Sequence, residues 1–331
     1  MLSISAVGNA GGAASYYTDK DNYYFLGENS TEWFGKGAEQ LGLSGEKIDT
    51  NLFQSVLEGK LPDGGDLSFM KNGVNIHRAG HDLTFSAPKS VSVLALVEGE
   101  NSLVTAHHEA VKKTLSELET LISTRSMING VPIHTGTGNM LSALFTHDTS
   151  RNLDPQLHTH AIVANATFDE LTGKWKTLSS DKVENLGFIE TVWNNQVAFG
   201  SIYRQFLKEE VIKQGYEVEI VGKNGLWEIK GVPTDIFSSR REEILDATQP
   251  NASAKSLSVA AKDTRIAKDF SNIEEVRQEW KEKLAETGFN LAQIKRTEQK
   301  DEMGNVTQAK SLEASQNVKE AVEAVISSLE K

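Results

Sequence analysis

The chain has 331 residues, 38% of them hydrophobic, and can therefore bury one large apolar core or two smaller ones. It has no cysteine, which excludes disulfide bonds, thiolate metal sites and cysteine nucleophiles. Its formal net charge of -12 argues against a nonspecific nucleic-acid coat, so any DNA binding must be confined to a groove with a few cations, a metal ion or aromatic surfaces.

The N-terminal segment does not have the pattern of a targeting sequence. No basic residue precedes its apolar part, and the longest apolar-rich stretch, Val91 to Val97, is too short to cross a bilayer. Together with the absence of cysteine, this predicts a soluble, cytoplasmic protein without membrane insertion.

The first hundred residues predict three strands and one helix. Polar and apolar residues alternate over Ser3 to Val7, which indicates a strand, and a glycine-rich segment then leads to a cluster of tyrosines. The stretch 27–80 predicts one helix, around Asn51 to Leu57. Two further strands are predicted over Asp82 to Ser86 and over Val91 to Val97, with a proline between them.

The middle of the chain predicts a long helix followed by a hairpin. Apolar residues recur at helical spacing from Val104 to Ile122. Alternation returns over Asn139 to His147 and over Leu157 to Asn165. The turn-like residues 150–155 between these two runs predict that they form an antiparallel pair.

The remaining chain is predicted to be mainly helical. A helix over Gly187 to Gln214 precedes two short strands, Glu217 to Val221 and Leu226 to Ile229, and helices then continue to about Leu291. Residues 297–331 are typical of a polar linker followed by a helix without a partner, which indicates the start of another domain.

Three histidines form a candidate metal site. Strand alternation places His158 and His160 on one face, about 6.5 to 7 Å apart along the strand. His147 lies at the end of the strand predicted to pair with theirs. Three neutral nitrogen ligands leave coordination positions open, as a catalytic metal requires. The alternative is that the histidine pair is simply polar surface.

Asp82 opens a predicted strand whose polar face also carries Thr84 and Ser86. Its carboxylate is predicted either to accept an N–H from a ligating histidine or to take the proton of a nucleophile, and a plain strand-end carboxylate is the alternative. The other histidines are interpreted as loop or surface residues: His77, His81, His107, His108 and His134.

Tyr16 and Tyr17 are candidate nucleophiles. A phenol has a pKa of about 10 and needs a neighbouring cation or base to react at neutral pH. A metal ion that holds a phosphodiester would provide this help. Attack by tyrosine would keep the bond energy in a phosphotyrosyl link, which a free 3′ hydroxyl can reseal. Tyr23 and Tyr24 fit packing and function equally.

Five segments carry a resemblance to a known family: SYYTDKDNYY (15–24), GKGAEQLGL (35–43), DLTFSAPKSVS (82–92), HDTSRNLDPQLHTHAIVAN (147–165) and KTLSSDK (176–182). They resemble the relaxase domains of conjugative plasmid proteins of the TraI and TrwC kind, within the HUH endonucleases. The resemblance runs through nearly the whole chain and is closest to F-like members.

The resemblance implies an α+β fold in which a central antiparallel sheet is flanked by helices, as in rolling-circle initiators. It implies a catalytic relaxase (palm) domain over residues 1–235, a helical DNA-clasping lobe over 236–296, and a linker with the start of a following domain over 297–331. The sequence has no GxxxxGK[ST] motif, so ATP chemistry is expected elsewhere.

The site residues that the resemblance implies are Tyr16 as first nucleophile, Tyr17, Tyr23 and Tyr24 as auxiliary or second-transfer tyrosines, His147, His158 and His160 as metal ligands, and Asp82 as the carboxylate beside them. Thr159 stands between the paired histidines, where the superfamily pattern has a hydrophobic residue. Threonine suits a strand and points to the opposite face, so this departure leaves the ligand pair intact.

Seven side chains are candidate DNA contacts: Arg78, Lys89, Arg151, Lys174, Trp175, Gln196 and Arg204. Trp175 lies between two lysines and offers a stacking face, or else covers the core as a hairpin-turn residue. Gln196 and Arg204 share a helix face, where they would read bases or form a solvated surface.

The expected cofactor is a divalent metal ion. Imidazoles suit Zn²⁺, Mn²⁺, Co²⁺ or Ni²⁺ better than Mg²⁺, but cellular availability can override that preference, so Mg²⁺ or Mn²⁺ is expected. Phosphate oxygens of a substrate would supply the remaining ligands.

The predicted function is site- and strand-specific nicking and strand transfer at a plasmid transfer origin, through a 5′ phosphotyrosyl intermediate. The alternatives are a rolling-circle replication initiator with the same chemistry and a non-catalytic single-strand DNA-binding module. The expected partners are single-stranded origin DNA, relaxosome accessory proteins, a type IV secretion coupling protein and a helicase domain C-terminal to this chain.

Overall fold

Strands and helices are interspersed along the chain. The computed structural model describes residues 1–18, 30–128, 131–150, 152–180, 187–222, 225–249, 252–264 and 273–294. The strands are β1 (Leu2–Ala6), β2 (Thr31–Phe34), β3 (Met70–Lys71), β4 (Val74–Asn75), β5 (Gly80–Ser86), β6 (Ser123–Ile128), β7 (Val131–Gly136), β8 (Ser142–Thr149), β9 (Pro155–Ala164), β10 (Thr167–Asp169), β11 (Lys174–Lys176), β12 (Val218–Ile220) and β13 (Trp227–Ile229). The helices are α1 (Ala10–Thr18), α2 (Lys36–Gln40), α3 (Thr50–Leu57), α4 (Lys89–Leu96), α5 (Asn101–Glu119), α6 (Phe188–Asn194), α7 (Gln196–Lys213), α8 (Ser239–Asp246), α9 (Ala254–Asp263), α10 (Ile273–Glu286) and α11 (Leu291–Ile294), and a short 3-10 helix spans Asp235–Phe237.

The central sheet within these ranges is antiparallel, with the strand order β1-β5-β9-β8-β2. The predicted hairpin is present as β8 and β9, which pair directly and shift register between His147 and Thr149. Since β9 lies between β5 and β8, side chains from three neighbouring strands can meet on either face of the sheet. The predicted class, a central antiparallel sheet flanked by helices, is confirmed.

Helices cover both faces of the sheet. On one face, α4, α5 and α7 enclose a large apolar cluster that includes Phe85, Leu144 and Ala161. On the other face, α1 and α3 pack over a smaller cluster that includes Phe145 and Ile162. Because successive strand residues point to opposite faces, each central strand contributes to both clusters.

The prediction of a strand over Val91 to Val97 is wrong, because this segment forms helix α4. Every residue from Ser90 to Val97 is buried, so the apolar run carries no periodicity that would separate a strand from a buried helix. The helix begins after Pro88, and the carboxylate of Glu228 accepts hydrogen bonds from the backbone N–H groups of Lys89 and Ser90, at 3.3 and 2.7 Å. These contacts satisfy N–H groups that the helix itself leaves unpaired.

Other segments also differ from the sequence prediction. The tyrosine-bearing segment is the helix α1, and the helix predicted over Gly187 to Gln214 is interrupted at Asn195 into α6 and α7. The edge strand β2 and the hairpin of β6 and β7 lack a clear alternation and were not predicted. His107 is fully buried rather than at the surface, because polar partners on two other elements reach it inside the core.

The C-terminal helices of the described chain pack on the turn between β8 and β9. Trp280 of α10 belongs to the same apolar cluster as Phe85, and its Nε1 donates to the carbonyl oxygen of Leu153 at 2.9 Å. Arg277 of the same helix forms a 3.0 Å ion pair with Asp148. The proposed division at residue 236 stays a prediction, and residues 297–331 lie outside the described ranges. None of the helices in these ranges combines the length and apolar composition needed to cross a bilayer.

Candidate metal centre and tyrosine site

Three imidazoles converge on the face of the sheet that carries α1. His147 of β8 and His158 of β9 are direct cross-strand partners, and His160 follows two residues along β9 on the same face. The ring centroids are 4.9 to 5.3 Å apart. One nitrogen from each ring can be chosen so that all three lie within 4.8 Å of one another. This spacing allows the three rings to share a single ion.

Asp82 of β5 holds the ring of His160. Its Oδ2 lies 2.8 Å from Nδ1 of His160, and its Oδ1 accepts a hydrogen bond from the Thr84 hydroxyl at 3.0 Å. Asp82 is 4% exposed, so these bonds form away from bulk water. When Nδ1–H donates to the carboxylate, the neutral ring keeps its lone pair on Nε2, which is the tautomer that a metal ligand needs.

His158 is oriented by its own strand. Its Nδ1 lies 2.8 Å from the carbonyl oxygen of Gln156, and because a carbonyl oxygen only accepts, the ring nitrogen donates. The lone pair of the neutral ring therefore lies on Nε2, as in His160. His147 and His160 are buried, whereas His158 is partly exposed.

The two adjacent tyrosines of α1 occupy different environments. Tyr17 is buried, stacks on Phe145 at 5.5 Å between ring centroids, and donates from its hydroxyl to Oδ2 of Asp82 at 2.8 Å. Tyr16 is 39% exposed, and its ring lies edge-on to His160 at 6.4 Å. An exposed phenol is accessible to a substrate that approaches the histidines. Tyr23 and Tyr24 lie outside the described residues.

Four of the five predicted cationic contacts, Arg78, Lys89, Arg151 and Lys174, do not share one environment. Arg78 and Lys174 are exposed, and Arg151 lies outside the described ranges. Lys89 is half-buried, and its Nζ donates to the carbonyl oxygen of Pro155 at 3.0 Å. Burial lowers the pKa of Lys89, while the carboxylates of Asp154 and Glu228 act in the opposite direction. Lys89 thus holds the start of β9.

The remaining predicted DNA contacts have partners inside the protein. Trp175 is 9% exposed, and its Nε1 donates to Asp63 at 2.6 Å. Gln196 donates to the carbonyl oxygen of Leu2 at 2.9 Å. Arg204 is 5% exposed, and burial lowers its pKa. The contacts observed for these three side chains lie within the protein. Whether they also contact DNA bases stays a prediction.

Two features of the site are not visible as motifs in the sequence. The hydroxyl of Thr84 lies 3.1 Å from Nδ1 of His160 and also bonds Asp82, so it joins the polar face of β5 to the histidines. The alternation of Asp82 with Thr84 is the signal that could have placed it there. The stack of Phe145 on Tyr17 has no such signal, since the two residues meet only through the fold.

Comparison with known proteins points to one family. The chain matches the family model described as TrwC relaxase over residues 10–287. It is 49% identical over 330 residues to the multifunctional conjugation protein TraI of Escherichia coli (strain K12), which covers 99% of this chain and 19% of that protein. A second Escherichia coli protein of the same name is 53% identical over 291 residues, covering 88% of this chain and 16% of the relative. The chain therefore spans about a fifth of the length of these relatives.

Solved structures of the conjugative relaxase TrwC are also similar. The metal-bound complex of TrwC with oriT DNA has a TM-score of 0.76 and 35% identity, covering 88% of this chain and 99% of that one. The copper-bound complex has a TM-score of 0.77 and 35% identity with the same coverage. A complex of TrwC with a 27-mer DNA comprising the recognition hairpin and the cleavage site has a TM-score of 0.74 and 34% identity, again with that coverage.

Proposed function

This chain belongs to the TrwC relaxase family, and from that premise we propose that it cuts one strand of DNA at a conjugative transfer origin and keeps the cut end as a phosphotyrosyl link. The observation that carries the proposal is the exposed phenol of Tyr16 beside the three-histidine cluster. The relatives support it, since two are named conjugation proteins and the metal-bound and copper-bound TrwC structures are complexes with oriT DNA.

We propose that His147, His158 and His160 hold a divalent metal ion. The donor set fits, because three imidazole nitrogens lie within 4.8 Å of one another and leave coordination positions for phosphate oxygens. When bound, the ion supplies Lewis acidity at the phosphoryl oxygens. We propose Mg²⁺ or Mn²⁺, which prefer the oxygen ligands that phosphate provides, with Zn²⁺, Co²⁺ and Ni²⁺ as alternatives that imidazole also suits.

Asp82 and Tyr17 are proposed to position the site rather than to react. The carboxylate of Asp82 accepts from His160 and so keeps the ring in the ligating tautomer. The hydroxyl of Tyr17 donates to the same carboxylate, which keeps Asp82 in place. The two residues thus act on the reaction through the orientation of His160.

Tyr16 is the proposed attacking group. Its phenolic oxygen loses its proton and forms a bond to the phosphorus of the scissile phosphodiester. The bond from phosphorus to the 3′ oxygen breaks, and that oxygen leaves with the electron pair and takes up a proton. The products are a 5′ phosphotyrosyl link and a free 3′ hydroxyl, so the step can run backwards to reseal a strand. Tyr23 and Tyr24 are proposed as auxiliary or second-transfer tyrosines.

We propose Arg78 and Lys174 as phosphate contacts, because both are exposed cations on a chain whose net charge is -12. Arg151 is proposed on the sequence alone. The intramolecular partners of Lys89, Trp175 and Gln196 favour a packing role for these side chains.

The partners of the whole protein are a further part of the proposal. They are relaxosome accessory proteins, a type IV secretion coupling protein and a helicase domain fused after this chain. Support comes from the relatives, which are named multifunctional conjugation proteins and of which this chain spans 19% or less.

The test is formation of a covalent adduct. The protein is incubated with Mg²⁺ or Mn²⁺ and a labelled single strand of the transfer origin, and adducts that survive denaturation are resolved by electrophoresis. We expect an adduct with the unchanged protein and none with Tyr16→Phe. We also expect none with His158→Ala when bound metal is first removed with a chelator and Mg²⁺ or Mn²⁺ is then added. Tyr17→Phe is the matched control, since it removes the neighbouring phenol on the same helix.

An adduct of equal yield in Tyr16→Phe would contradict the proposal. DNA binding without an adduct in any metal would favour the binding module, and cleavage confined to a replication origin would favour the replication initiator.

A further inference from the structure

A buried network of hydrogen-bonded polar side chains lies on the opposite face of the sheet from the histidine cluster. Strand alternation points Thr146 and Thr159 away from the metal face, into the apolar cluster beneath α5. Their hydroxyl oxygens are 2.8 Å apart, and the two side chains are 0% and 1% exposed. Thr159 stands directly between the two candidate ligands of β9.

His107 of α5 is the centre of this polar network. It is 0% exposed, its Nε2 lies 2.8 Å from the hydroxyl of Thr159, and its Nδ1 lies 2.7 Å from the hydroxyl of Tyr203 on α7. A neutral imidazole has one N–H and one lone pair, so both nitrogens are satisfied by these two hydroxyls. The ring therefore joins α5, α7 and β9 at one point.

The polar network continues across the sheet to its edge strand β2. Thr146 of β8 bonds Nε2 of His108 at 2.7 Å, and Nδ1 of that ring lies 3.8 Å from the carboxylate of Glu32 on β2. The neighbouring His108 lowers the pKa of Glu32. A single path thus connects α7, α5, β9, β8 and β2 without passing through the metal face.

A polar path inside an apolar cluster restricts how β9 can pair. A slip of one residue would turn Thr159 to the metal face and would carry His158 and His160 into the core. Apolar neighbours alone would accept many packings, whereas Nε2 of His107 has the hydroxyl of Thr159 as its observed partner, and loss of that hydroxyl removes a hydrogen bond from a buried ring.

We propose that His107 and Thr159 form a positioning pair that fixes the pairing and tilt of β9 and thereby the convergence of the three imidazoles. The inference rests on the metal site of the proposed function. Neither residue touches the metal face, so their effect on that site passes through the backbone of β9.

The test measures Co²⁺ binding by visible absorption in the full chain. We expect Thr159→Val to weaken Co²⁺ affinity on the order of tenfold and to change the intensity of the ligand-field bands. Thr159→Ser keeps the hydroxyl and should restore both. Thr114→Val is the matched control, because Thr114 is equally buried on α5 and bonds only a carbonyl oxygen of its own helix among the contacts observed.

Thermal unfolding of each variant identifies the temperature at which all are folded, and Thr146→Val provides a second probe if Thr159→Val does not fold. Co²⁺ spectra and affinities that are unchanged in the folded valine variants would overturn the inference and leave the proposed function standing. Failure of the unchanged protein to bind Co²⁺ would instead contradict the metal site itself, and the inference with it.

Discussion

The hydroxyl of Tyr17 lies 2.8 Å from Oδ2 of Asp82, the oxygen that Nδ1 of His160 also contacts at 2.8 Å. The hydroxyl of Tyr17 is therefore hydrogen-bonded to a buried carboxylate, although Tyr17 follows Tyr16 directly in the sequence. Successive residues of a helix point about 100° apart, so one phenol of the pair enters the site wall and the other faces the surface. Their roles can be separated by experiment.

Tyr17→Phe should still form the covalent DNA adduct. The substitution keeps the ring that stacks on Phe145 and removes one hydrogen bond to Asp82, at a cost of about 1.5–3 kcal/mol for a bond to a charged group. We expect a lower free energy of unfolding and a retained adduct, measured by urea denaturation and gel assay. Loss of the adduct in a folded Tyr17→Phe protein would assign the chemistry to Tyr17 instead.

Asp82→Asn should weaken metal binding about 10–100-fold. The amide has nearly the same shape, but it is neutral and offers one acceptor oxygen where the carboxylate takes three donors. Isothermal titration with Mn²⁺ measures the change. Asp63→Asn is the matched control, since Asp63 accepts from Trp175 at an exposed position and should leave the affinity unchanged. Equal affinities in both variants would remove Asp82 from the site.

Arg277→Gln should loosen α10 from the end of β8. The side chains of Arg277 and Asp148 are 11% and 2% exposed, and removal of one partner of such a buried ion pair costs about 3–5 kcal/mol. Asp148→Asn alone should lower the free energy of unfolding by a similar amount. The double variant should lose less than the sum of the two single losses. Urea unfolding of the four proteins gives this coupling.

Lys230→Gln serves as the control for the ion pair. Its partner Glu217 lies 3.8 Å away, and both side chains are largely exposed, so the loss should not exceed about 1 kcal/mol. Strict additivity of the Arg277 and Asp148 substitutions would show that the buried pair does not couple α10 to β8.

His107→Gln should reduce the loss of stability in acid. Burial lowers the pKa of His107 well below the value of an unfolded histidine, and the neighbouring His108 and His158 act in the same direction. Below about pH 7 the unfolded chain therefore binds a proton that the folded chain refuses, and the free energy of unfolding falls as the pH falls towards the pKa of the folded state. Unfolding curves of the metal-free proteins measure the slope. Parallel slopes for the variant and the unchanged chain would contradict this assignment.

Local pattern was sufficient for the strands that carry the site. Alternation indicated β5, β8 and β9, and it placed His158 and His160 on one face, because a half-polar strand repeats every two residues whatever it packs against. Helical spacing likewise indicated α5, which has one buried side. In α4 the apolar run carries no polar face at helical spacing, so the pattern could not separate a helix from a strand, and the helix was read as a strand.

Contacts between distant residues were decided only by the tertiary structure. Tyr17 and Asp82 are 65 residues apart, Asp82 and His160 are 78 apart, and His107 and Tyr203 are 96 apart. These pairs meet because the sheet is ordered β1-β5-β9-β8-β2 with helices on both faces, and strand order leaves no trace in local periodicity. The sequence could therefore name two tyrosines and three histidines. How the layers pack decides that Tyr17 is buried, that Tyr16 is exposed and that a polar network lies behind Thr159.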